Sequence, residues 1–377
     1  MGSEVFFRPF ATGRWVGPRT DHFDGTRFRN QADAEHESLG GVLKWVANRD
    51  MGPWERIDPP PGPKPPERVR EGVRVTFVNH ATFLVQLGGL NVLTDPVWAE
   101  RTSPVGFAGP RRYRPPGLRF EDLPPIDLVL LSHDHFDHLC EETTRRLAAH
   151  APVYVTGLGN GALLRRFGID DARELDWWDE TEVKGARVVF APAQHFSGRG
   201  VGDRDRTLWG ALWLEADGTS VYFAGDTGMG PHFAETRARL GAPDLALLPI
   251  GAYRPEWFMS RVHVNPAQAV EAAQILEARV SVATHFGTFQ LADDGMREPV
   301  EDLEKALAAL GDAAPDFRVL REGEPELLAF ASAERLSFRR GHAPPPARPA
   351  KPARAPTPSH ALTRVEAAAI CRIFSAE

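Results

Sequence analysis

Hydrophobic positions along the chain fall into short runs that polar segments separate. The first three runs are Val73–Val78, Phe83–Leu87 and Leu90–Leu93, and Gly88-Gly89 lies between the second and the third. Short apolar runs bounded by turn residues predict strands, and a Gly-Gly pair predicts a tight hairpin turn. We therefore expect the compact part of the chain to begin with three strands that pair in order.

Further apolar runs follow, and each is short enough to be a strand rather than a helix. They are Leu128–Leu131, Val153–Val155, Val188–Phe190, Leu212–Leu214, Val221–Phe223, Leu245–Ile250 and Val280–Ala283. Strands at the start, then strands and helices mixed, favour an α/β fold in which helices cover a sandwich of two sheets. A purely parallel, doubly wound sheet fits this order less well.

Helical patterns separate several of these runs. The clearest begins at Asn265, which suits a helix N-cap, because Pro266 takes the first helical position and Gln268 completes a capping box. The predicted helices are Leu139–Ala149, Asn265–Ala278 and Val300–Leu310.

Composition changes near both ends of the chain. Pro59–Pro66 holds six prolines in eight positions, which is typical of a stiff connector. From about Arg340 the chain is rich in Pro, Ala, Arg and Lys, which predicts disorder, with a short helix at Thr363–Phe374. We therefore divide the chain into an N-terminal arm and connector (1–70), one compact domain (71–335) and a tail (336–377).

The composition is that of a globular protein, with 42% hydrophobic and 25% charged residues and no apolar run near the ~18 residues of a membrane span. The net charge of −7 argues against a nucleic-acid partner. Residues 1–10 lack the features of a secretory signal, and the two cysteines, Cys140 and Cys371, do not suggest a disulfide framework. We therefore expect a cytoplasmic protein.

A dense group of polar residues directly follows the run Leu128–Leu131. His133-Asp-His-Phe-Asp-His138 places three histidines and two aspartates in six positions, although the whole chain of 377 residues has only 13 histidines. Neutral imidazole and carboxylate are good ligands for zinc, iron and manganese, so the cluster predicts a metal site. A single histidine after a strand would more often be a packing residue.

Three later residues occur in a similar context, after a predicted strand: His195, Asp226 and His285. Residues at strand ends on one edge of a sandwich would converge in space. Because His133 and His135 alternate, both can reach one ion, and Asp137 and His138, at the start of the next predicted helix, can reach another.

We therefore assign His133, His135 and His195 to a first ion. We assign Asp137, His138 and His285 to a second ion, with Asp226 bridging the two. Each ion keeps an open position, where a shared water can lose a proton and become a nucleophile. For Asp226 alone, a turn or N-capping role in Gly225–Gly228 is the alternative.

Short motifs surround this cluster along the chain. They are Leu93-Thr-Asp-Pro96, Leu123-Pro-Pro-Ile-Asp127, Leu175-Asp-Trp-Trp178, Leu208-Trp-Gly210, Phe223-Ala-Gly-Asp-Thr-Gly228, Ile250-Gly-Ala-Tyr253, Trp257-Phe-Met259 and His285-Phe-Gly-Thr288. The cluster and these motifs resemble the metallo-β-lactamase superfamily and, within it, the N-acylphosphatidylethanolamine-hydrolysing phospholipase D family, with a similarity that runs from about Arg27 to Leu328. The resemblance implies a four-layer αββα sandwich, two zinc ions (iron or manganese being alternatives) and a phospholipid substrate.

Carried over motif by motif, the resemblance implies the same seven ligands. It also implies that Asp95 orients a ligand imidazole, although a turn role fits this residue equally well. His263 matches a family histidine near the metals and is our candidate to assist the leaving group, beside Asp226 as the other catalytic residue; a structural role is the alternative. Two departures from the family, Asn79 in place of glycine and the order Arg254 then Glu256, bear on substrate contact.

Substrate contacts are predicted in two further segments. Arg101–Arg119 carries five arginines with interleaved aromatic residues, which suits a lipid headgroup, whereas the alternative is a solvated loop. The N-terminal arm could dock on a bilayer, pack on the compact domain, or pack on a second copy in a homodimer. The residues chosen as substrate contacts are Arg111, Arg112, Tyr113 and Tyr253, and the aromatic residues of the arm are Phe6, Phe7, Phe10 and Trp15.

The expected reaction is attack of a metal-bridging hydroxide on phosphorus, which releases an N-acylethanolamine and leaves phosphatidic acid. The enzyme would then work in the cytoplasm, at the inner face of a membrane. The alternatives are a lactone, a cyclic nucleotide or a smaller phosphodiester as substrate, a di-iron redox protein, and a membrane-associated binding protein with a structural metal site. Structural zinc sites are normally closed by four protein ligands, which disfavours the last alternative.

Overall fold

The computed structural model describes residues 13–32, 39–200 and 202–330, and two seven-stranded sheets form its centre. In the first sheet the order is β14-β1-β2-β3-β4-β5-β6. Its strands are β1 (Val73–Asn79), β2 (Thr82–Leu87), β3 (Leu90–Thr94), β4 (Leu128–Leu131), β5 (Val153–Gly157), β6 (Ala172–Leu175) and β14 (Pro325–Leu328).

The second sheet has the order β13-β12-β11-β10-β9-β8-β7. Both sheets are mixed, because an antiparallel half continues into a parallel half at β3–β4 and at β10–β11. The strands are β7 (Glu180–Val183), β8 (Ala186–Ala191), β9 (Ala211–Ala216), β10 (Thr219–Phe223), β11 (Leu245–Pro249), β12 (Val280–Thr284) and β13 (Phe317–Arg318).

Helices cover the outer faces of both sheets. Leu147 of α2 and Leu163 of α3 pack with the first sheet, whereas Phe233 of α4, Val270 of α6 and Leu303 of α7 pack with the second. The α/β, four-layer αββα sandwich expected from the sequence is therefore confirmed. The helices are α1 (Leu39–Ala47), α2 (Glu141–Leu147), α3 (Gly161–Arg166), α4 (His232–Leu240), α5 (Glu256–Met259), α6 (Pro266–Leu276) and α7 (Glu298–Leu310).

Alternate residues of the central strands point to different layers. In β4, Leu128 and Leu130 join the core between the sheets, while Val129 and Leu131 join the core under α2 and α3. Successive strand side chains face opposite sides, so a strand buried on both faces must be apolar throughout. This explains why the sequence shows continuous apolar runs at these strands.

All ten predicted runs coincide with strands, and the capping box at Asn265 is present, with Gln268 as its partner. The boundaries of the three predicted helices differ from the observed ones by up to two residues. The helix expected from Leu139 begins at Glu141, so Asp137 and His138 lie in the turn before it. The sequence also missed β6 and β7, whose partly exposed, charged residues give no apolar run.

Residues 13–32 of the N-terminal segment pack on the compact domain. Phe23 and Phe28 are 1% and 3% exposed and belong to the main core, and the Phe28 amide donates to the Asp205 carbonyl at 2.7 Å. For this part of the arm the structure therefore favours packing on the domain over the other two alternatives. Phe6, Phe7, Phe10 and the tail from 336 onward lie outside the described residues.

No helix in the described ranges has both the length and the apolar character needed to cross a bilayer.

Four strands place their carboxyl ends at one edge of the sandwich. β8 and β10 both run antiparallel to β9, and β11 and β12 run parallel to β10, so β8, β10 and β12 share one direction. The loops after β4, β8, β10 and β12 carry His133, His195, Asp226 and His285. The topology therefore gathers these residues, although they are distant in sequence.

Phe28→Ala should test the packing of the N-terminal segment. Removing a buried phenylalanine leaves a cavity, so we expect the free energy of unfolding to fall by about 3–5 kcal/mol. Urea unfolding followed by tryptophan fluorescence measures this change. The control is Leu327→Ala, because Leu327 is 72% exposed and its truncation should change stability by no more than about 0.5 kcal/mol. Equal effects of the two substitutions would contradict the packing of this segment.

Candidate metal centre

Three histidines form a first group at the shared edge. His135 Nδ1 lies 2.8 Å from His133 Nε2 and 3.3 Å from His195 Nε2. These three ring nitrogens lie within 4.8 Å of one another, which suits a single cation. This is the trio that the sequence assigns to the first ion.

A second group lies beside the first and shares Asp226 with it. Asp226 Oδ2 lies 3.2 Å from His138 Nε2, 3.1 Å from His285 Nε2 and 3.9 Å from His195 Nε2. Asp137 Oδ2 lies 3.3 Å from the same nitrogen of His138 and 3.5 Å from that of His285. All seven residues chosen from the sequence therefore come together, with Asp226 between the two groups.

The polar atoms of this centre lack ordinary hydrogen-bond partners among the described residues. His138 Nε2, His285 Nε2 and Asp226 Oδ1 are buried without one. A buried polar atom without a partner costs free energy, and a cation placed among these atoms would satisfy them all. The donor set of imidazole nitrogens and carboxylate oxygens thus fits a metal cofactor.

The ionisation states also suit metal binding. Burial lowers the pKa of the His133, His135 and His195 imidazoles, and neighbouring imidazolium charge lowers it further for His133. Burial opposes ionisation of Asp137 and Asp226, but His138 outweighs it and keeps the pKa of both carboxyls well below the usual value. Neutral imidazoles and ionised carboxylates are the forms that bind metals.

His138 and His285 behave in the opposite way. Burial lowers the pKa of both rings, but Asp226 and Asp137 outweigh it, raising that of His138 well above its usual value and that of His285 to about 9. Without a metal these rings therefore carry protons between the two carboxylates. The electrostatics of the centre demand positive charge, which metal ions would supply in place of protons.

Partners behind the ligand rings fix their orientation. His138 Nδ1 donates to Asp95 Oδ2 at 2.6 Å, and Ser132 also donates to that carboxylate through its amide and hydroxyl. His195 Nδ1 donates to the Val262 carbonyl at 3.0 Å. Such bonds select the tautomer that turns Nε2 toward a metal. Asp95 thus lies where the resemblance places it.

The loop that carries the ligands is itself held from behind. Arg199, 9% exposed, donates to the Asp134 and Leu139 carbonyls, both at 2.7 Å, and its guanidinium lies over the Phe136 ring. Asp134 accepts from the Gly198 amide at 2.8 Å, so this aspartate faces away from the metal group. Gly198 and Arg199 therefore hold His133–His138 in one shape.

The turn before Asp226 requires glycine. Gly225 has φ +60°, and a Cβ there would lie 2.5 Å from Ser132 Cβ. A side chain at this position would displace the serine that supports Asp95. Glycine here therefore allows the ends of β4 and β10 to approach closely.

His80 is a member of the centre that the sequence did not single out. It follows β1 with φ +48°, and its Nε2 lies 3.0 Å from Asp137 Oδ2. Its ring centroid lies 4.1 Å from that of His285, and its carbonyl accepts from the His285 amide at 2.8 Å. The only signal for this residue in the sequence is its place in the motif Asn79-His-Ala-Thr82, in which Asn79 departs from the family.

Asn30 also reaches the centre and was not expected to. Its side-chain amide accepts from the His195 backbone amide at 3.1 Å and donates to the His195 carbonyl at 2.8 Å. Trp209 Nε1 donates to the same Asn30 oxygen at 3.0 Å. The N-terminal segment therefore supports a predicted ligand directly.

His263 borders the centre on the side of Asp226. Its Nδ1 lies 4.0 Å from Asp226 Oδ2 and has no hydrogen-bond partner among the described residues. Burial lowers the pKa of His263 to about 4, so the ring is neutral near pH 7. A neutral imidazole is suited to accepting a proton, because it is not already in the charged imidazolium form.

The four predicted substrate contacts make internal contacts instead. Arg112 is 4% exposed and donates to the backbone carbonyls of Ala99, Val97 and Arg114, so its guanidinium is already bonded inside the protein. The remaining three have these partners: Arg111 pairs with Glu100, Tyr113 donates to Gln290, and Tyr253 donates to Asp302. The side chains at the two departures from the family also bond within the protein. Asn79 donates to the Val97 carbonyl, and Arg254 forms an ion pair with Glu298.

Comparison with known proteins gives a consistent picture. A family model described as beta-lactamase superfamily domain matches residues 90–286. The N-acyl-phosphatidylethanolamine-hydrolyzing phospholipase D 1 of Caenorhabditis elegans is 38% identical over 259 residues, which cover 66% of this chain and 72% of that protein. The mitochondrial N-acyl-phosphatidylethanolamine-hydrolyzing phospholipase D of Saccharomyces cerevisiae is 34% identical over 237 residues, 61% of this chain and 50% of that protein.

Among solved structures, Igni18, a metallo hydrolase from the archaeon Ignicoccus hospitalis, has a TM-score of 0.51 at 24% identity. The matched region covers 69% of this chain and 99% of the Igni18 chain, which supports the fold. The match to the family model and the identity to the worm protein carry the closer assignment. This chain therefore belongs to the beta-lactamase superfamily and, within it, to the N-acylphosphatidylethanolamine-hydrolysing phospholipase D family of metal-dependent hydrolases.

Proposed function

We propose that this chain uses two zinc ions to hydrolyse a phosphodiester bond of a phospholipid, N-acylphosphatidylethanolamine. The products are an N-acylethanolamine and phosphatidic acid. The observation that carries the proposal is the pair of adjacent ligand groups that share Asp226. The names of the worm and yeast relatives support the choice of substrate.

In this proposal His133, His135 and His195 hold the first ion, and Asp137, His138 and His285 hold the second. Asp226 contributes to both. Imidazole and carboxylate suit zinc, and iron or manganese accept the same ligand types. Bound ions supply positive charge for the phosphoryl oxygens and lower the pKa of water.

The protein residues around the ions then have separate tasks. Asp95 keeps the proton of His138 on Nδ1, so that Nε2 stays free to bind. His263 offers a neutral nitrogen, Nδ1, next to Asp226, and this atom exchanges a proton with the reacting oxygen. Gly198 and Arg199 hold the segment His133–His138 in one shape, which preserves the geometry of the site.

An exposed apolar surface near α5 supports contact with a membrane. Leu43 and Met51 are 48% and 57% exposed, while Trp45 of the same helix, α1, is buried against Ala252 and Met259. Trp257 of α5 is 44% exposed, and Lys44 Nζ lies 4.6 Å from the centre of its ring.

Apolar side chains flanked by tryptophan and lysine are typical of surfaces that rest on a bilayer. Residues 260–263 link α5 to His263, so this surface adjoins the centre in the chain. We include peripheral contact at the cytoplasmic face of a membrane in the proposal.

A substrate panel tests the proposed function. We expect the purified protein to release N-acylethanolamine from vesicles that contain N-acylphosphatidylethanolamine, and we expect a chelator to stop this release because the ions are needed for catalysis. Lactones, cyclic nucleotides and small phosphodiesters are assayed alongside by product analysis. Faster turnover of any of these three would replace the phospholipid as the substrate.

Ligand substitutions test the shared site. Asp226→Ala should remove both turnover and most of the bound metal, because Asp226 contributes to both groups. His133→Ala should mainly reduce the metal held by the first group. Metal content is measured by mass spectrometry beside the vesicle assay. Glu304→Ala, an exposed change on α7, is the control and should leave both readouts unchanged. A metal-free Asp226→Ala protein with full activity would refute the assignment.

The exposed surface is tested by Leu43→Glu. Loss of a leucine that enters the bilayer removes about 1.5–3 kcal/mol of favourable burial, so vesicle binding should weaken by about 10–100-fold. Hydrolysis of a short-chain, monomeric substrate should not change. Leu327→Glu is the matched control, since Leu327 is also an exposed leucine but lies on β14. If both substitutions weaken binding equally, the α1 surface has no special role.

A further inference from the structure

His285 differs from the other ligand histidines in what lies behind its ring. Its Nδ1 is buried and has no hydrogen-bond partner among the described residues. Metal-binding histidines almost always donate their second ring nitrogen to a carboxylate, a carbonyl or a water. In the other rings that turn Nε2 inward, Nδ1 has a partner: Ser132 for His133, Asp95 for His138 and Val262 for His195.

A small cavity lies against His285. It has a volume of about 10 Å³, and its walls include His80, His285 and Asp294, together with apolar residues such as Phe289 and Leu291. This volume corresponds to about one water molecule. A water in a protein interior normally needs two to four polar partners.

The three polar residues of the cavity each carry one atom that needs a partner. They are His285 Nδ1, His80 Nδ1 and Asp294 Oδ1, and each is buried without a hydrogen bond among the described residues. His80, His285 and Asp294 are 2%, 3% and 5% exposed, so bulk solvent does not satisfy these atoms. Three such atoms on residues that line a cavity of this size match the bonding capacity of one water.

We propose that one ordered water fills this cavity and links His285 to Asp294, which makes Asp294 a positioning residue for the second metal group. The inference rests on the proposed function in one respect, because it takes His285 as a ligand. The water accepts a hydrogen bond from His285 Nδ1–H. It donates one to His80 Nδ1 and one to Asp294 Oδ1.

The hydrogen atoms balance in this arrangement. His80 Nε2 donates to Asp137 Oδ2, so a neutral His80 ring leaves Nδ1 as an acceptor. With the His285 proton on Nδ1, Nε2 is free to face Asp226 and the cation. One water therefore orients His285 and His80 together, and through His80 it acts on Asp137.

Asp294 is itself held in place by the backbone around it. Its Oδ2 accepts from the Ala252 amide at 3.2 Å, and its carbonyl accepts from Trp54 Nε1 at 2.9 Å. A carboxylate oxygen is a strong hydrogen-bond acceptor. A buried carboxylate is costly unless it is hydrogen-bonded, and the water supplies the bond that Oδ1 lacks.

The test compares zinc affinity in Asp294→Leu and Asp294→Asn by competition with a chromophoric chelator. Loss of a group that orients a ligand typically weakens metal binding by about 10–100-fold, and we expect this for the leucine variant. The asparagine variant should lose less, because its amide oxygen still accepts from the water. A leucine variant with affinity within about twofold of the parent would overturn the proposal.

Asp244→Asn separates positioning from stability. Asp244 is 0% exposed and accepts from Ser220, but it precedes β11, at the opposite end of the sheet from the centre. This control should lower the unfolding temperature without changing zinc affinity. Equal losses of affinity in Asp244→Asn and Asp294→Asn would show a structural effect only and would count against the proposal.

A crystal structure of the zinc-loaded protein provides the second measurement, should Asp294→Leu fail to fold. We expect a water within hydrogen-bond distance of all three atoms. A direct contact between Asp294 and His285, or a cavity without water, would overturn it. These readouts need no substrate, so a failure of this inference is distinct from a failure of the proposed hydrolysis. Failure of the parent protein to bind zinc would instead count against both.

Discussion

The structure depends on the attraction between two buried carboxylates, Asp137 and Asp226, and the positive charge that must lie between them. Both carboxylates are ionised, and only 14% and 3% of their side chains are exposed. Two like charges so close together and out of water would repel strongly, because little solvent screens them. In the protein alone, protons on His138 and His285 supply the compensation. The fold thus holds a site whose charge balance is met by cations.

The sandwich provides this arrangement through strand direction. Ligands follow β4 of one sheet and β8, β10 and β12 of the other, so the two sheets must keep a fixed distance for the ligand groups to meet. The close-packed apolar layer between the sheets sets that distance, and such a layer deforms very little. Core packing far from the chemistry therefore controls the geometry of the centre.

Much of the fold could be predicted from the sequence, because strands buried on both faces appear as unbroken apolar runs. The gathering of the seven candidate ligands could also be predicted, since metal chemistry restricts residue types and His133–His138 is dense in them. Two of the residues that support them could not. Asn30 and His80 are single polar residues whose contacts form only when distant loops come together. The local sequence does not indicate which loops do so. Arg112 is a similar case, because nothing in the neighbouring sequence shows that backbone carbonyls surround its side chain.

The hydrogen bonds between Asn30 and His195 join segments that are far apart in the chain, and this separation affects when the chain can hold its cofactor. During synthesis Asn30 leaves the ribosome well before His285 and Asp294. The complete set of candidate ligands therefore exists only after His285 has emerged, and contacts of such long sequence separation form slowly in folding. An ion captured earlier by His133–His138 alone would be weakly held and exchangeable. Retention of the correct metal is thus coupled to completion of the fold.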